Sequence, residues 1–158
     1  MNVAIVYAVT LVILFALAYF TKRRFGVLGL ALAAGAMLSN LWAQQLTPIV
    51  KGTGFDIAIP PLATVVAVVL VLLPAILLLT SGPTYNKKIE QVIGALLFST
   101  LAVALLIEPL GSALVLQGDS KLVYDWFIEH RVWIVTFGLI AALIDLLFAK
   151  TSKRGSRH

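Results

Sequence analysis

Five long apolar runs, separated by short polar segments, account for most of this chain of 158 residues. Each run is close to the roughly 20 apolar residues that a helix needs to cross the hydrocarbon core of a bilayer. The residues left between the runs are too few to build a soluble domain beside them. The runs cover Val3 to Phe20, Phe25 to Ala43, Pro61 to Thr80, Val92 to Leu116 and Val132 to Ala149.

The polar segment between the fourth and fifth runs has the pattern of an amphipathic helix rather than of a loop. It covers residues 119–133, and either Asp119 or Ser120 can serve as its N-cap. Its apolar positions recur at helical spacing, as in a helix that lies at a membrane surface. These positions are Leu122, Trp126 and Phe127.

Composition and periodicity together predict an all-α fold. Hydrophobic residues make up 61% of the chain and charged residues 12%, whereas charged residues make up about 25% of a typical soluble domain. The chain has no cysteine, which excludes disulfides, thiolate metal sites and thiol catalysis. The sequence therefore predicts a polytopic transmembrane helical bundle over residues 1–149, with five membrane-spanning helices, a short amphipathic external helix and a basic cytoplasmic tail over 150–158.

The distribution of basic residues predicts which way the helices cross. The formal net charge of +5 would by itself suit a nucleic-acid partner. If five spans alternate, however, nine of the twelve lysines and arginines fall on one side, as the positive-inside rule requires. This places the amino terminus outside and the carboxyl terminus in the cytoplasm, with no nucleic-acid partner. The nine are Lys22, Arg23, Arg24, Lys87, Lys88, Lys150, Lys153, Arg154 and Arg157.

The second run carries small residues four positions apart, which let helix backbones approach closely within a bilayer. The pairs are Gly29 with Ala33 and Ala31 with Gly35. We therefore expect this run to be the central packing helix. The same face suits either packing inside the chain or contact with a second copy of it.

Aromatic residues near the ends of the runs fit the aromatic belts of membrane interfaces. Trp42 lies in a polar stretch at the far end of the second run, and three more aromatic residues lie in or beside the external segment. The predicted interfacial anchors are Trp42, Tyr124, Trp126 and Trp133.

Proline and glycine mark the outer connection and two of the spans. Residues 46–60 are expected to form a turn-rich segment against the membrane, and a re-entrant loop lining a pore is the alternative. Pro74 and Pro109 lie inside the third and fourth runs. Each removes one helical hydrogen bond, so both helices are expected to kink.

Two carboxylates lie inside the apolar runs, and such residues are the first candidates for function. Glu108 is expected about 25 Å along the fourth span, near the outer boundary, and Asp145 near the inner boundary. The two should therefore not form a pair. In a structural role, Glu108 would reach outer water or Arg131, and Asp145 would reach the basic inner rim. The alternative role is a proton or cation pathway.

No motif for catalysis or cofactor binding is present. The chain lacks a Gly-x-Ser-x-Gly elbow, a Gly-x-x-x-x-Gly-Lys phosphate loop and a His-Glu-x-x-His zinc motif. Asp125, Glu129 and His130 are close in sequence, but a cluster with one histidine is more typical of a solvated helix face than of a metal site. We therefore expect no enzymatic activity, no metal and no cofactor.

The order of these features resembles the small inner-membrane proteins of the colicin V production family over residues 1–108. The resemblance rests on a first span, a small-residue second span, a Pro-containing outer loop and two short stretches, Lys22-Arg-Arg-Phe-Gly26 and Asn86-Lys-Lys leading to Ile93-Gly-Ala-Leu-Leu97. The chain departs from the family pattern because an early acidic residue is absent from the first span, Ser99-Thr100 replaces a glycine, and the fifth span lies beyond the match. The resemblance implies an accessory protein of a prokaryotic cytoplasmic membrane, linked to secretion or envelope physiology, and it supplies no catalytic residues.

Two functions are compatible with these observations. The first is a non-enzymatic membrane accessory or scaffold protein that acts through helix packing, with the lipid bilayer around it and itself or another membrane protein as partner. Its basic tail would contact anionic lipid headgroups. The second is a small oligomeric transporter or channel that uses Glu108 and the proline-kinked helices.

The five-span topology is directly testable with reporter fusions. A reporter fused after His158 should be cytoplasmic, and one inserted near Gly118 should be external, because the basic residues are retained inside. Activity of both reporters on the same side of the membrane would exclude the five-span arrangement.

Overall fold

The computed structural model describes residues 3–54, 60–80, 83–85, 87–111 and 119–152, and within them the fold consists of helices without a β-strand. This confirms the all-α class. Five helices follow one another along the chain. They are α1 (Val3–Thr21), α2 (Phe25–Gly52), α3 (Leu62–Thr80), α4 (Lys88–Gly111) and α5 (Asp119–Ser152).

Hydrogen bonds between α1 and α4 show that these two helices run antiparallel. The Gln91 side chain at the start of α4 donates to the Tyr19 carbonyl near the end of α1. At the opposite end, the Tyr7 hydroxyl of α1 donates to the Ile107 carbonyl of α4 at 3.3 Å. We call the first end the basic end and the second the Glu108 end. The basic residues at the basic end include Lys22, Arg23, Arg24, Lys87 and Lys88.

Four of the helices contain a stretch long and apolar enough to cross a bilayer. These stretches are Phe25–Gly52, Leu62–Thr80, Lys88–Gly111 and, within α5, Tyr124–Phe148. In α1 the corresponding apolar stretch, Ile5–Thr21, is shorter. At a rise of 1.5 Å per residue, it is about 25 Å long, slightly less than a typical hydrocarbon core.

The most enclosed helix is α4, not α2 as the small-residue pattern suggested. Every residue from Leu101 to Ile107 is buried. Seven consecutive residues cover the whole circumference of a helix, so α4 is surrounded at this level. It packs against all four other helices, and most extensively against α1 and α5. The helix α2 instead packs mainly against α3.

The contact between α2 and α3 depends on the glycine at position 35. A Cβ atom built there would overlap the Val71 carbonyl oxygen and lie 2.8 Å from the Leu70 carbonyl oxygen. Backbone atoms cannot move aside as the end of a side chain can. The two helix backbones are therefore closer than any larger residue would allow.

Two predicted boundaries are wrong because helices continue through them. The helix α2 extends to Gly52 with Pro48 inside it, although a turn-rich connection was expected from residue 46. Pro48 has no N–H to donate to the carbonyl of Gln44, and both residues are exposed. Residues 55–59 of the expected connection lie outside the described residues.

The second wrong boundary concerns the external amphipathic helix. It is not a separate element, because α5 is one helix of 34 residues. There is no glycine or proline between Lys121 and Arg131, so no helix-breaking residue ends the helix before the apolar run. The helix ends at Ser152, inside the predicted tail.

Replacing Gly35 by alanine should destabilise the fold by about 1–3 kcal/mol, since the added methyl group forces α2 and α3 apart. Gly52→Ala is the matched control, because it changes the same residue type in the same helix where a Cβ meets nothing within 4 Å. In mild detergent, the melting temperature of the Gly35 variant should be lower than that of the Gly52 variant. Equal melting temperatures would show that the α2–α3 contact is looser than described.

Candidate functional site

The turn between α1 and α2 at the basic end is only three residues long, and it is joined to the end of α3. Lys22 adopts a left-handed backbone conformation with a φ of 54°, which closes α1. Arg23 forms an isolated antiparallel bridge with Thr84. Its guanidinium also donates to the Leu79 and Thr80 carbonyls at 3.0 and 2.9 Å. Arg23 therefore caps the carboxyl end of α3.

The amino end of α2 receives its hydrogen-bond acceptors from elsewhere in the chain. Its N-cap residue, Arg24, makes no side-chain capping bond. Instead, the Phe25 N–H donates to the Tyr85 hydroxyl oxygen at 3.0 Å, and the Gly26 N–H donates to Asp145 Oδ2 at 2.8 Å. Tyr85 and Asp145 thus meet at the first turn of α2, where they interact electrostatically. A negative charge is favourable at the positive end of a helix dipole, so Asp145 stabilises α2 in its charged form.

Tyr85 fits into this position because Gly94 leaves room for its ring. A Cβ at Gly94 would lie 2.6 Å from the Tyr85 ring. The Arg24 guanidinium lies over the same ring, 5.5 Å from its centroid. The pKa of Tyr85 is raised to about 12, mainly by burial and also by the neighbouring Asp145, whereas the Phe25 N–H and Arg24 act in the opposite direction. Tyr85 is therefore a neutral hydrogen-bond partner at physiological pH.

A cleft of about 500 Å³ lies beside this group, and we call it the Tyr85 cleft. Its walls come from the start of α2, the start of α4 and the end of α5, together with the segment before α4. Polar and apolar residues line different parts of it. The polar residues are Arg24, Tyr85, Lys87, Glu90 and Asp145, and the apolar residues include Ile93, Leu97, Ala141 and Phe148.

A smaller cleft of about 260 Å³ lies at the Glu108 end, and we call it the Glu108 cleft. Glu108 Oε2 accepts from Arg131 at 2.6 Å, so Arg131 is the partner that the sequence suggested. Glu108 is exposed and Arg131 half-buried. The remaining polar lining residues, Ser39, Asn40 and Gln44, come from α2.

The two carboxylates predicted as functional candidates lie in different clefts. Arg131, which contacts Glu108, is 14 residues before Asp145 on the continuous helix α5. At 1.5 Å per residue the two positions are about 21 Å apart along the helix. The structure therefore does not bring Glu108 and Asp145 into one site.

The prolines expected to kink the spans both lie inside helices. Pro74 is in α3, and Pro109 is in the last turn of α4, two residues before its end. The kinks themselves stay predictions.

The aromatic residues predicted as anchors fall into two groups. Trp42, Trp126 and Trp133 are exposed. Tyr124 is partly buried instead, because its ring lies where a Cβ of Gly111 would be. It packs against a small cluster that includes Tyr7. Tyr124 therefore contributes to the contact between α5 and the end of α4, which the sequence pattern did not suggest.

The small residues of α2 contact two different helices. Gly35 faces α3, whereas a Cβ at Gly29 would lie 3.0 Å from the Ala142 Cβ of α5. Ala31 is buried and Ala33 half-buried. Gly26, which the sequence analysis did not include, lies closest to α5, since a Cβ there would be 2.6 Å from the Ala142 carbonyl oxygen.

In the described part of the chain, no three histidine, aspartate or glutamate side chains are grouped closely enough to hold a metal ion. His130 instead has its ring Nδ1 2.9 Å from the Trp126 carbonyl oxygen and stacks on the Trp126 ring. Every buried side-chain nitrogen or oxygen within the same residues has a hydrogen-bond partner.

Sequence reasoning missed Tyr85 and the capping role of Arg23. Tyr85 lies in a short connection, where a single tyrosine carries no periodic signal. Arg23 was interpreted only as one of the positive charges that set the orientation of the spans. Its carbonyl acceptors are 56 and 57 residues away in sequence. Only the fold brings these groups together.

Comparison with protein-family models, with curated proteins and with solved structures finds no match for this chain. The resemblance to the colicin V production family therefore stays a hypothesis.

Asp145→Ala should destabilise the protein by about 1–2 kcal/mol, because the first turn of α2 loses an acceptor. Asp145→Asn should lose less stability, since the amide oxygen can still accept the hydrogen bond from the Gly26 N–H. Asp125→Ala is the control, because it removes an exposed carboxylate from the same helix. The free energies of unfolding of the three variants are measured in the same detergent. An Asp125 variant as unstable as the Asp145→Ala variant would contradict the capping role.

Proposed function

We propose that this chain is an integral membrane protein with five spans that acts as a non-enzymatic scaffold or accessory component through helix packing. Support for membrane insertion comes from large apolar side chains on the outer surface of the helices. Phe20, Met37, Val132, Leu147 and Phe148 are each at least about two-thirds exposed. An aqueous solvent would make such a surface unfavourable, whereas lipid chains would cover it.

The proposed orientation has the basic end in the cytoplasm. Lys22, Arg23, Arg24, Lys87 and Lys88 gather at that end, Lys150 lies in the last turn of α5, and Lys153, Arg154 and Arg157 follow α5 in sequence. This asymmetry supports an external amino terminus and a cytoplasmic carboxyl terminus. We further propose a prokaryotic cytoplasmic membrane and a role in secretion or envelope physiology, which rest on the resemblance to the colicin V production family.

The observation that carries the scaffold proposal is the apolar interior between the two clefts. The core at this level is formed by residues such as Phe98, Leu101, Leu105 and Leu106. On α5, the thirteen residues between Arg131 and Asp145 include a single polar side chain, Thr136. A proton or ion pathway needs polar groups or water through the interior, so the apolar side chains at this level support the scaffold over such a pathway.

The proposed partner surface is the outer face of α5. Only 6% of the residues in its apolar span are buried within the chain, against 61% for α4. Its exposed residues include Trp133, Phe137 and Ile140. We propose that this face packs against a second copy or another membrane protein, with lipid covering the remainder.

A small oligomeric transporter is the second candidate, and the Glu108 cleft favours it. Glu108 lines this cleft directly before Pro109, which leaves the Leu105 carbonyl without its usual helical partner. Carboxylates and irregular helix ends are the groups that coordinate cations in transporters. Several chains would have to enclose the path that one chain does not provide.

Glu108→Gln distinguishes the two functions. As a scaffold, the variant should fold, retain its oligomeric size and lose only about 0–1 kcal/mol of stability, because its ion pair with Arg131 is exposed. Proteoliposomes with wild-type protein should be no more permeable to protons or sodium ions than liposomes without protein. Glu129→Gln, which removes an exposed carboxylate from α5, is the control. Wild-type flux that disappears only in the Glu108 variant would establish the transporter.

A further inference from the structure

The Tyr85 cleft is amphipathic along the direction of the helix axes. Its polar residues lie at the basic end, where α4 begins, and the apolar residues Ile93, Leu97 and Ala141 lie further from that end. From Lys87 to Leu97 the chain advances ten residues, or about 15 Å along α4. The cleft therefore presents charge at one level and an apolar wall at the next.

The carboxylates of the cleft already have partners. Asp145 accepts the Gly26 N–H and interacts with Tyr85. Glu90 lies 3.6 Å from Lys87, and because the Lys87 side chain is 79% exposed and the Glu90 side chain 44% exposed, this ion pair is weak. Arg24 and Lys87 balance these two carboxylates in number, so the excess positive charge of the basic end comes from Lys22, Arg23 and Lys88.

Arg24 is the best placed cation of the cleft. Its guanidinium lies over the Tyr85 ring, and no carboxylate in the described residues is within ion-pair distance of it. The ring fixes the position of the guanidinium while leaving its N–H donors available. Lys87 lines the same cleft, and Lys22 and Lys88 are exposed at the same end. An anionic group is the complementary ligand.

The apolar wall opens on the outer surface of the bundle. Ile93 is 53% exposed and Phe148 is 70% exposed, and both line the cleft. A soluble anion would leave this wall uncovered. A molecule with a phosphate group and an acyl chain would cover both parts at once.

The geometry points to a binding site for one anionic phospholipid in the Tyr85 cleft, with Arg24 and Lys87 at the headgroup phosphate and Ile93 and Leu97 along an acyl chain. This inference rests on the proposed membrane insertion. The headgroup would be held at the level of the cytoplasmic membrane surface, and the chain would run between α4 and α5. The site is distinct from the basic tail, which follows α5.

Two variants test the site in detergent micelles supplemented with either phosphatidylglycerol or phosphatidylcholine of identical chains. Phosphatidylglycerol should raise the melting temperature of the wild type by roughly 3 °C or more relative to phosphatidylcholine. Arg24→Gln/Lys87→Gln should lose this difference. Lys88→Gln should retain it, because Lys88 neighbours Lys87 but does not line the cleft. Inorganic phosphate should not reproduce the shift.

A selective shift that survives in the double variant, or equal shifts with both lipids in the wild type, would overturn the proposal. So would an equal shift with inorganic phosphate, which would indicate an anion site without an acyl chain. If the double variant does not fold, native mass spectrometry of wild-type protein from equimolar vesicles decides instead. Phosphatidylglycerol should be enriched about fivefold on the protein, and an unenriched lipid population would exclude the site.

Membrane insertion is checked first by alkaline carbonate washing of cell membranes. Protein that stays in the washed membranes but shows no lipid selectivity would overturn the lipid site alone. Protein released by the wash would overturn the proposed membrane insertion and, with it, the lipid site.

Discussion

The hydrogen bonds at the amino end of α2 hold three separate parts of the chain together. A helix begins with N–H groups that have no partner within the helix, and here the residue before α2 supplies no side-chain acceptor. Tyr85 and Asp145 supply the acceptors instead, one from the connection before α4 and the other from α5. In an apolar environment an unpaired N–H is costly. The positions of α2, α4 and α5 at the basic end are therefore coupled through one small polar group.

Close approach of the helices is the second requirement, and glycine meets it at several positions. Gly35 brings α2 against the backbone of α3, and Gly26 brings it against α5. Gly94 has a different role, because it accommodates the Tyr85 ring rather than a helix backbone. The capping of α2 by Tyr85 thus depends on the packing of the Tyr85 ring against Gly94 of α4. Within a bilayer, where lipid chains are as apolar as leucine, such contacts supply much of the attraction between helices.

The two ends of the molecule differ in their polar groups. At the basic end, buried hydrogen bonds and cations surround an amphipathic cleft. At the Glu108 end, one exposed ion pair borders a smaller cleft lined by polar residues of α2. An apolar core lies between them, in which Ser99 bonds to the Leu96 carbonyl of its own helix. This arrangement favours a protein that is anchored and partnered at its surfaces over one that moves a solute through its interior.

The sequence alone determined the helical class, the five apolar segments and the uneven distribution of basic residues, because these depend on local composition and on spacing along the chain. It also placed Glu108 and Asp145 in separate regions, since their distances from the ends of the runs can be counted. It could not identify α4 as the most enclosed helix, because small residues in α2 indicate close packing but not how many helices surround it. Nor could it show that α5 continues through the external segment, because an amphipathic pattern and an apolar pattern are both helical. Only the tertiary structure decided that Tyr85 and Asp145 cap α2 and that Arg23 caps α3. Those partners are between 56 and 119 residues apart in sequence, and the helices that join them can be packed in several ways that local pattern does not distinguish.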